Sequence, residues 1–121
     1  MKGLNIVPQI NGTVTMGEGS FVMPNLFDMD SKYPAANTIF AKRMHRLGDF
    51  ALAEEGQKVI TLELTQELPE EAYLLRISAG HVSVSASGEK GYTYALVTLY
   101  QLLAQGHGTA PVCEISDCPL Y

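Results

Sequence analysis

The stretch Ala72-Tyr73-Leu74-Leu75-Arg76-Ile77-Ser78-Ala79-Gly80-His81-Val82-Ser83-Val84-Ser85-Ala86-Ser87 decides how this chain is read. Its first half alternates Tyr73, Leu75 and Ile77 with Leu74, Arg76 and Ser78, and its second alternates Val82, Val84 and Ala86 with Ser83, Ser85 and Ser87. Successive side chains of a strand point to opposite faces, so each run has one dry and one wetter face. Half-wet strands favour antiparallel pairing. Ala79-Gly80 is short enough to close the two runs into a tight hairpin.

Working outward, Gln57–Leu64 repeats the pattern, with Ile60, Leu62 and Leu64 on one face and Thr61 and Glu63 on the other. Residues 13–16 and 20–23 read as two short strands with Gly17-Glu18-Gly19 as the turn between them. Residues 4–7 form a further candidate stopped by Pro8, and 112–116 a last one. Pro24 to Lys32 holds Asn25, Asp28, Asp30 and Ser31 and reads as a loop. A first helix opens at Tyr33-Pro34, because a proline at the first helical position loses no hydrogen bond. Ala36, Ile39, Phe40, Met44 and Leu47 form its apolar stripe, and Gly48 stops it. Gly88 to Gly91 reads as a loop, followed by a second helix from about Tyr92 to Ala104. That helix is apolar almost all round, which requires burial on most sides. The pattern as a whole predicts an α+β fold, a mostly antiparallel sheet covering two helices on one face.

The bulk numbers fit one domain: 121 residues, 46% hydrophobic and 17% charged. Net charge is −5, and the only basic cluster is Lys42, Arg43 and Arg46 on the wet side of the first helix. No basic stripe is present to neutralise phosphates, which argues against nucleic acid. The same absence argues against a polybasic membrane contact, and no apolar run approaches the roughly 20 residues of a membrane span. Met1 to Pro8 holds no signal-peptide core, so the sequence leaves the compartment open. Cys113 and Cys118 read as two thiols, with a short-loop disulfide as the alternative.

His45, His81 and His107 stand alone without metal-ligand spacing, and no H-E-x-x-H or G-x-S-x-G element occurs. Glu54-Glu55 and Glu70-Glu71 are sequence neighbours, and neighbours on extended chain point apart rather than converge on one glycosidic bond. Gly88-Glu89-Lys90-Gly91 lacks the ending of a phosphate loop. No catalytic residue, no metal ligand and no cofactor is therefore assigned, and the chain alone is expected to be inactive.

The C-terminal half carries Glu71-Ala72-Tyr73-Leu74-Leu75-Arg76-Ile77, then Gly91-Tyr92-Thr93-Tyr94-Ala95-Leu96-Val97-Thr98-Leu99-Tyr100-Gln101-Leu102-Leu103, then Ile115-Ser116-Asp117-Cys118-Pro119. Together these resemble the non-catalytic domain that precedes the barrel in glycoside hydrolase family 20, the β-N-acetylhexosaminidases. Leu4-Asn5-Ile6-Val7-Pro8 resembles that family's opening strand. The resemblance implies a zincin-like accessory domain without a zinc motif, whose sheet shields two helices that pack toward a (β/α)8 barrel. In the family that barrel carries an Asp-Glu pair, and the acetamido group of the substrate is the nucleophile. One departure is Leu120, where the family usually has Arg; Tyr121 follows in the aromatic place. Related domains precede the barrels of O-GlcNAc-cleaving enzymes and α-glucuronidases.

These readings lead to one main expectation. Residues 1–121 form a single accessory domain, cut just before a catalytic barrel, in a hydrolase of terminal N-acetylhexosamine residues. The partners expected are the barrel of the same polypeptide and the parent's glycan substrate, with self-association of the isolated chain as a further outcome. Tyr92, Leu96, Leu99, Tyr100, Leu103, Asp117, Pro119 and Tyr121 are the residues expected to face the barrel. Two alternatives stand beside it. One is a free-standing carbohydrate- or protein-binding module, which the absence of Trp and the scatter of the six Tyr do little to support. The other is a small independent enzyme, for which no convergent constellation is found.

Overall fold

A computed structural model describes residues 12–118. The expected strand at 4–7 and the expected interface residues Pro119 and Tyr121 lie outside the described residues. Elements follow in the order β1 (Gly12–Val22), β2 (Leu26–Met29), α1 (Pro34–Leu47), β3 (Ala51–Leu52), β4 (Gln57–Leu64), β5 (Tyr73–Ile77), β6 (Val82–Ala86), α2 (Glu89–Gln105) and β7 (Thr109–Asp117). The strands form one sheet in the order β1-β7-β5-β6-β4-β2-β3. Two helices pack against it around a single apolar core, which gives the α+β class expected.

The expected hairpin is present: β5 and β6 pair antiparallel with Tyr73 opposite Ala86 and Ile77 opposite Val82. Ser78 closes the turn by donating its backbone N–H to the carbonyl of His81 at 2.8 Å. Tyr73, Leu75 and Ile77, with Val82, Val84 and Ala86, are all buried, so the dry face is the one the alternation assigns. Each large side chain among these contributes roughly 1.5–3 kcal/mol of burial.

Antiparallel pairing holds for β1 with β7, β7 with β5, and β5 with β6. The rest of the sheet is parallel: β6 with β4, β4 with β2, and β2 with β3. The sheet is thus mixed rather than predominantly antiparallel in its strand pairs. The cause is topological. β4 precedes the β5–β6 hairpin, and it is the second strand of that hairpin, not the first, that settles beside β4, running in the same direction.

Three local expectations are corrected. Gly17-Glu18-Gly19 is not a turn; β1 runs straight through it with a register shift between Met16 and Ser20. Gly19 has φ +94°, the left-handed backbone that a bulge of this kind uses and that glycine adopts without strain. Residues 26–29 are strand rather than loop, because Phe27 and Met29 are buried against the core and outweigh the polar Asp28 between them. The second helix starts at Glu89, so Gly88 is its cap and Gly91 lies in its first turn.

A bulge also reshapes β4. Asp28 pairs with Lys58 and Met29 with Ile60, leaving Val59 as the extra residue. Val59 and Ile60 are consequently both buried, and Ile60 leads the inward set expected. Leu62 packs on the core, whereas Leu64, expected on the same face, is 45% exposed. In α1, Ala36, Phe40 and Met44 are buried as expected, and Phe40 meets Phe27 edge-on at 6.1 Å. Ile39 departs from its assigned stripe and is 51% exposed.

Candidate functional site

The helix α2 carries no charged side chain from Gly91 to Gln105, its only charges being Glu89 and Lys90 in the first turn. Its entry is set by contact rather than by capping. A Cβ on Gly91 would stand 2.3 Å from the carbonyl oxygen of Ala72 and 3.0 Å from the Cβ of Ala86. The helix therefore starts in direct contact with the sheet. Lys90 reaches back to Glu70 and Glu71 at 3.7 and 3.9 Å, exposed ion pairs of small energetic weight.

The inward arc of α2 consists of Tyr92, Ala95, Leu96, Thr98, Leu99, Leu102 and Leu103. Four residues expected to face a partner domain, Tyr92, Leu96, Leu99 and Leu103, lie on this arc and are at most 3% exposed. The sheet and α1 cover them, so no outside surface can reach them. Tyr92 stacks at 5.8 Å on Tyr33 and donates its hydroxyl to the side-chain oxygen of Asn37, which is itself buried. The Asn37 amide then donates to the carbonyl of Asp30 at 2.6 Å. This polar chain ties α2 to α1 and to the segment after β2.

Asp117, another expected residue, is also inside, at 7% exposed. The Tyr73 hydroxyl donates to its carboxylate at 3.0 Å and lies 2.6 Å from the hydroxyl of Thr98 on α2. The end of β7 is thereby fastened to both β5 and α2. Burial pushes the Tyr73 phenol well above the ordinary tyrosine range, with the nearby Asp117 charge adding to the shift. Burial does the same for Tyr92, helped by the charge of Asp30. The thiol of Cys113 is raised by burial as well. Cys113 and Cys118 are both free thiols.

Of the expected interface residues within 12–118, Tyr100 alone lies outside the core, half-buried, with the Arg43 guanidinium 5.9 Å above its ring. It belongs to the outward side of α2, with Thr93, Tyr94, Val97, Gln101 and Ala104, all half-buried and none charged. A small hollow between the helices, lined by Ala36, Phe40, Leu96 and Val97, opens beside the exposed Ile39. The outer crest of the helix pair is thus Ile39, Val97 and Tyr100, with Arg43 lying against it over the Tyr100 ring. Sequence reasoning missed this crest because a helix apolar on every side gives no periodic signal of which side faces out. Ile39 gave no warning either, since its spacing from Ala36 fits the apolar stripe and only the structure shows it exposed.

The groups tested for chemistry remain apart. His45 and His107 are exposed, and the His81 ring meets the Thr61 hydroxyl at 2.9 Å. Glu54 and Glu55 are exposed in the turn before β4. Among the described residues no group of three His, Cys, Asp or Glu side chains converges. No helix among them is long and apolar enough to cross a membrane.

Comparison with known proteins bears on the family. Residues 3–118 match the family model described as glycosyl hydrolase family 20, domain 2. No curated protein sequence matches. Among solved structures, the chain is similar to an exo-β-N-acetylglucosaminidase of Vibrio harveyi, with 25% identity and a TM-score of 0.77 over 93% of this chain and 18% of that one. It also resembles the fold of a β-N-acetylhexosaminidase from Bacteroides fragilis, at 21% identity and TM-score 0.74, covering 95% of this chain and 24% of that one. A Streptomyces plicatus β-hexosaminidase in complex with the product GlcNAc shares the fold at 18% identity and TM-score 0.76, over 91% and 25%. The chain therefore spans about a fifth to a quarter of the length of these relatives.

Proposed function

The chain belongs to the domain 2 family of glycosyl hydrolase family 20, a non-catalytic accessory domain, and from that premise we propose that it braces the catalytic domain of a β-N-acetylhexosaminidase-like hydrolase. In this reading residues 1–121 are one domain of a longer polypeptide, followed by a (β/α)8 barrel that removes terminal N-acetylhexosamine residues. The observation that carries it is the outer crest of α1 and α2. A helix without a charge over Gly91–Gln105 leaves Val97 and Tyr100 beside the exposed Ile39 on the side away from the sheet. Uncharged helix surface of this kind is covered in a finished protein. Tyr92, Leu96, Leu99 and Leu103 contribute by holding α2 in place, not by touching the barrel.

Two measurements test the reading. The polypeptide encoded by the natural reading frame should release the chromophore from a nitrophenyl N-acetyl-β-glucosaminide, and residues 1–121 alone should not. Ile39→Lys should change the stability of the 121-residue chain by no more than about 0.5 kcal/mol, since the side chain is already wet. In the longer polypeptide the same change should lower the temperature of half-inactivation by several degrees, about 2–4 °C per kcal/mol at that size. A reading frame that stops after Tyr121, or an inactivation temperature indifferent to Ile39→Lys, would defeat the proposal.

A further inference from the structure

A second surface of the same helix layer has a different chemistry. The exposed Lys42, His45 and Arg46 of α1 line a groove of about 450 Å³ whose other wall is Phe50, Ala51 and Leu52. The volume is within the range of about 300–1,000 Å³ typical of ligand clefts. None of the three basic side chains forms an ion pair among the described residues. No acidic residue occurs anywhere on α1. The carbonyls at the end of the helix account in part for His45 and Arg46, which sit in the last turn, but not for Lys42. The chain has 13 acidic side chains against 8 of Lys and Arg, so cations gathered here without partners are out of keeping with the whole.

Among the described residues the far wall is an outer sheet edge. β3 ends the sheet, and Ala51 and Ala53 donate their N–H groups inward, to the carbonyls of Asn25 and Phe27 at 2.8 and 2.9 Å. With the N–H groups of Ala51 and Ala53 both turned to β2, the N–H and C=O of Leu52 point away from β2. Beyond Thr38 and Leu52 the groove continues into a second hollow lined by Asp28 and Glu54. The trough is therefore basic at one end, acidic at the other and apolar between, with a backbone donor and acceptor along its wall.

We propose that this trough receives an extended, partly apolar segment of the remaining polypeptide, which adds to the sheet beside β3 and sets its acidic residues against Lys42, His45 and Arg46. This rests on the reading that the chain is one domain of a longer hydrolase. Three observations select the occupant. Unpaired cations call for carboxylates, the apolar floor of Ala41, Phe50 and Leu52 calls for alternate apolar side chains, and the free edge calls for extended backbone. Size selects a tethered source. A two-residue edge buries far less than the ~1,000 Å² a separate partner needs, whereas a tethered segment acts at an effective concentration in the mM range.

The test compares the natural full-length polypeptide with the 121-residue chain by amide hydrogen exchange and by acylation of lysine amines, read by mass spectrometry. In the longer polypeptide the Leu52 amide should exchange at least about tenfold more slowly than in the short chain, as expected for a newly paired edge. Lys42 should acylate several-fold more slowly than the exposed Lys58. Lys42→Glu combined with Arg46→Glu should abolish both effects, and Lys42→Arg should keep the Leu52 protection. If α2 is protected in the longer polypeptide while Leu52 and Lys42 behave as in the short chain, the trough is empty and the proposal fails alone. If α2 is equally open, the bracing function fails and takes this inference with it. Protection that appears in the short chain on adding a chondroitin sulfate tetrasaccharide, and not in the longer polypeptide by itself, would mean an anionic glycan site and overturn the assignment.

Discussion

Replacing Gly91 by alanine sets two physical effects against each other with opposite signs. Helix propensity alone says that Gly→Ala inside a helix stabilises by about 1 kcal/mol. The packing of α2 on the sheet says the reverse. The new methyl would meet the Ala72 carbonyl oxygen at 2.3 Å and the Ala86 methyl at 3.0 Å, with the Ala72 carbonyl carbon at 3.3 Å. Neither neighbour can yield cheaply: one is backbone held by the bond from the Ala72 N–H to the Pro69 carbonyl, and the other is a core methyl. The start of α2 must lift instead, drawing the adjacent Tyr92 away from Asn37. Overpacking costs about 1–3 kcal/mol and a loosened buried hydrogen bond about 1 kcal/mol more. Set against the propensity gain, the net is a destabilisation of about 2 kcal/mol. Urea unfolding of the 121-residue chain reads this directly. With a slope of 1–3 kcal/mol per molar for a small protein, the midpoint should drop by roughly 1 M. Gly88→Ser belongs in the same experiment: nothing lies within 4 Å of its added Cβ, and its extended backbone suits a capping serine. That variant should gain a few tenths of a kcal/mol. An unchanged or higher midpoint for Gly91→Ala, or equal losses in both variants, would refute the contact as the reason for the glycine.

Three further outcomes are expected. Tyr73 and Tyr92 keep their protons in the folded chain above the usual tyrosine value of about 10, whereas the unfolded chain loses them there. Stability should therefore be complete below about pH 10 and fall above it, by about 1.4 kcal/mol per pH unit for each phenol, as equilibrium unfolding against pH will show. Tyr73→Phe removes the donor to the buried Asp117 and the partner of Thr98. It should cost about 1.5–3 kcal/mol in urea unfolding and roughly halve that alkaline slope. Cys113, buried and with its thiol shifted upward, should react with a disulfide reagent only as fast as the chain opens, so its modification rate should rise with urea.

Much of the fold can be read from local pattern, and the failures have physical causes. The hairpin from Tyr73 to Ala86 is legible because strict alternation and a two-residue turn are local properties. The helix boundaries at Pro34 and Gly48 are legible for the same reason. Gly17-Glu18-Gly19 is ambiguous in principle, since a bulge and a turn both ask for glycine at positive φ, and only the partner strand β7 decides between them. The parallel placing of β4 beside β6 leaves no local trace at all, because it depends on where a later hairpin settles. The candidate site was half legible. An uncharged second helix announces that something covers it, yet it does not say which side the sheet covers. Tyr92, Leu96, Leu99 and Leu103 are expected outward because the helix is apolar almost all round and the resemblance packs it on a barrel, and the structure buries all four. The groove beside Lys42 and Leu52 was invisible, since its far wall is a two-residue strand with no pattern of its own.

The placing of β7 has a mechanical consequence. It lies between β1 and β5, paired antiparallel with each, and the Tyr73 hydroxyl bonds the carboxylate of its last residue, Asp117. Tension applied to the chain after Cys118 would run along β7 and load both ladders in shear, so that many hydrogen bonds share the force instead of breaking in turn. A load applied at this end is hitched to the interior of the sheet, and the hitch yields only when the middle of the domain yields with it.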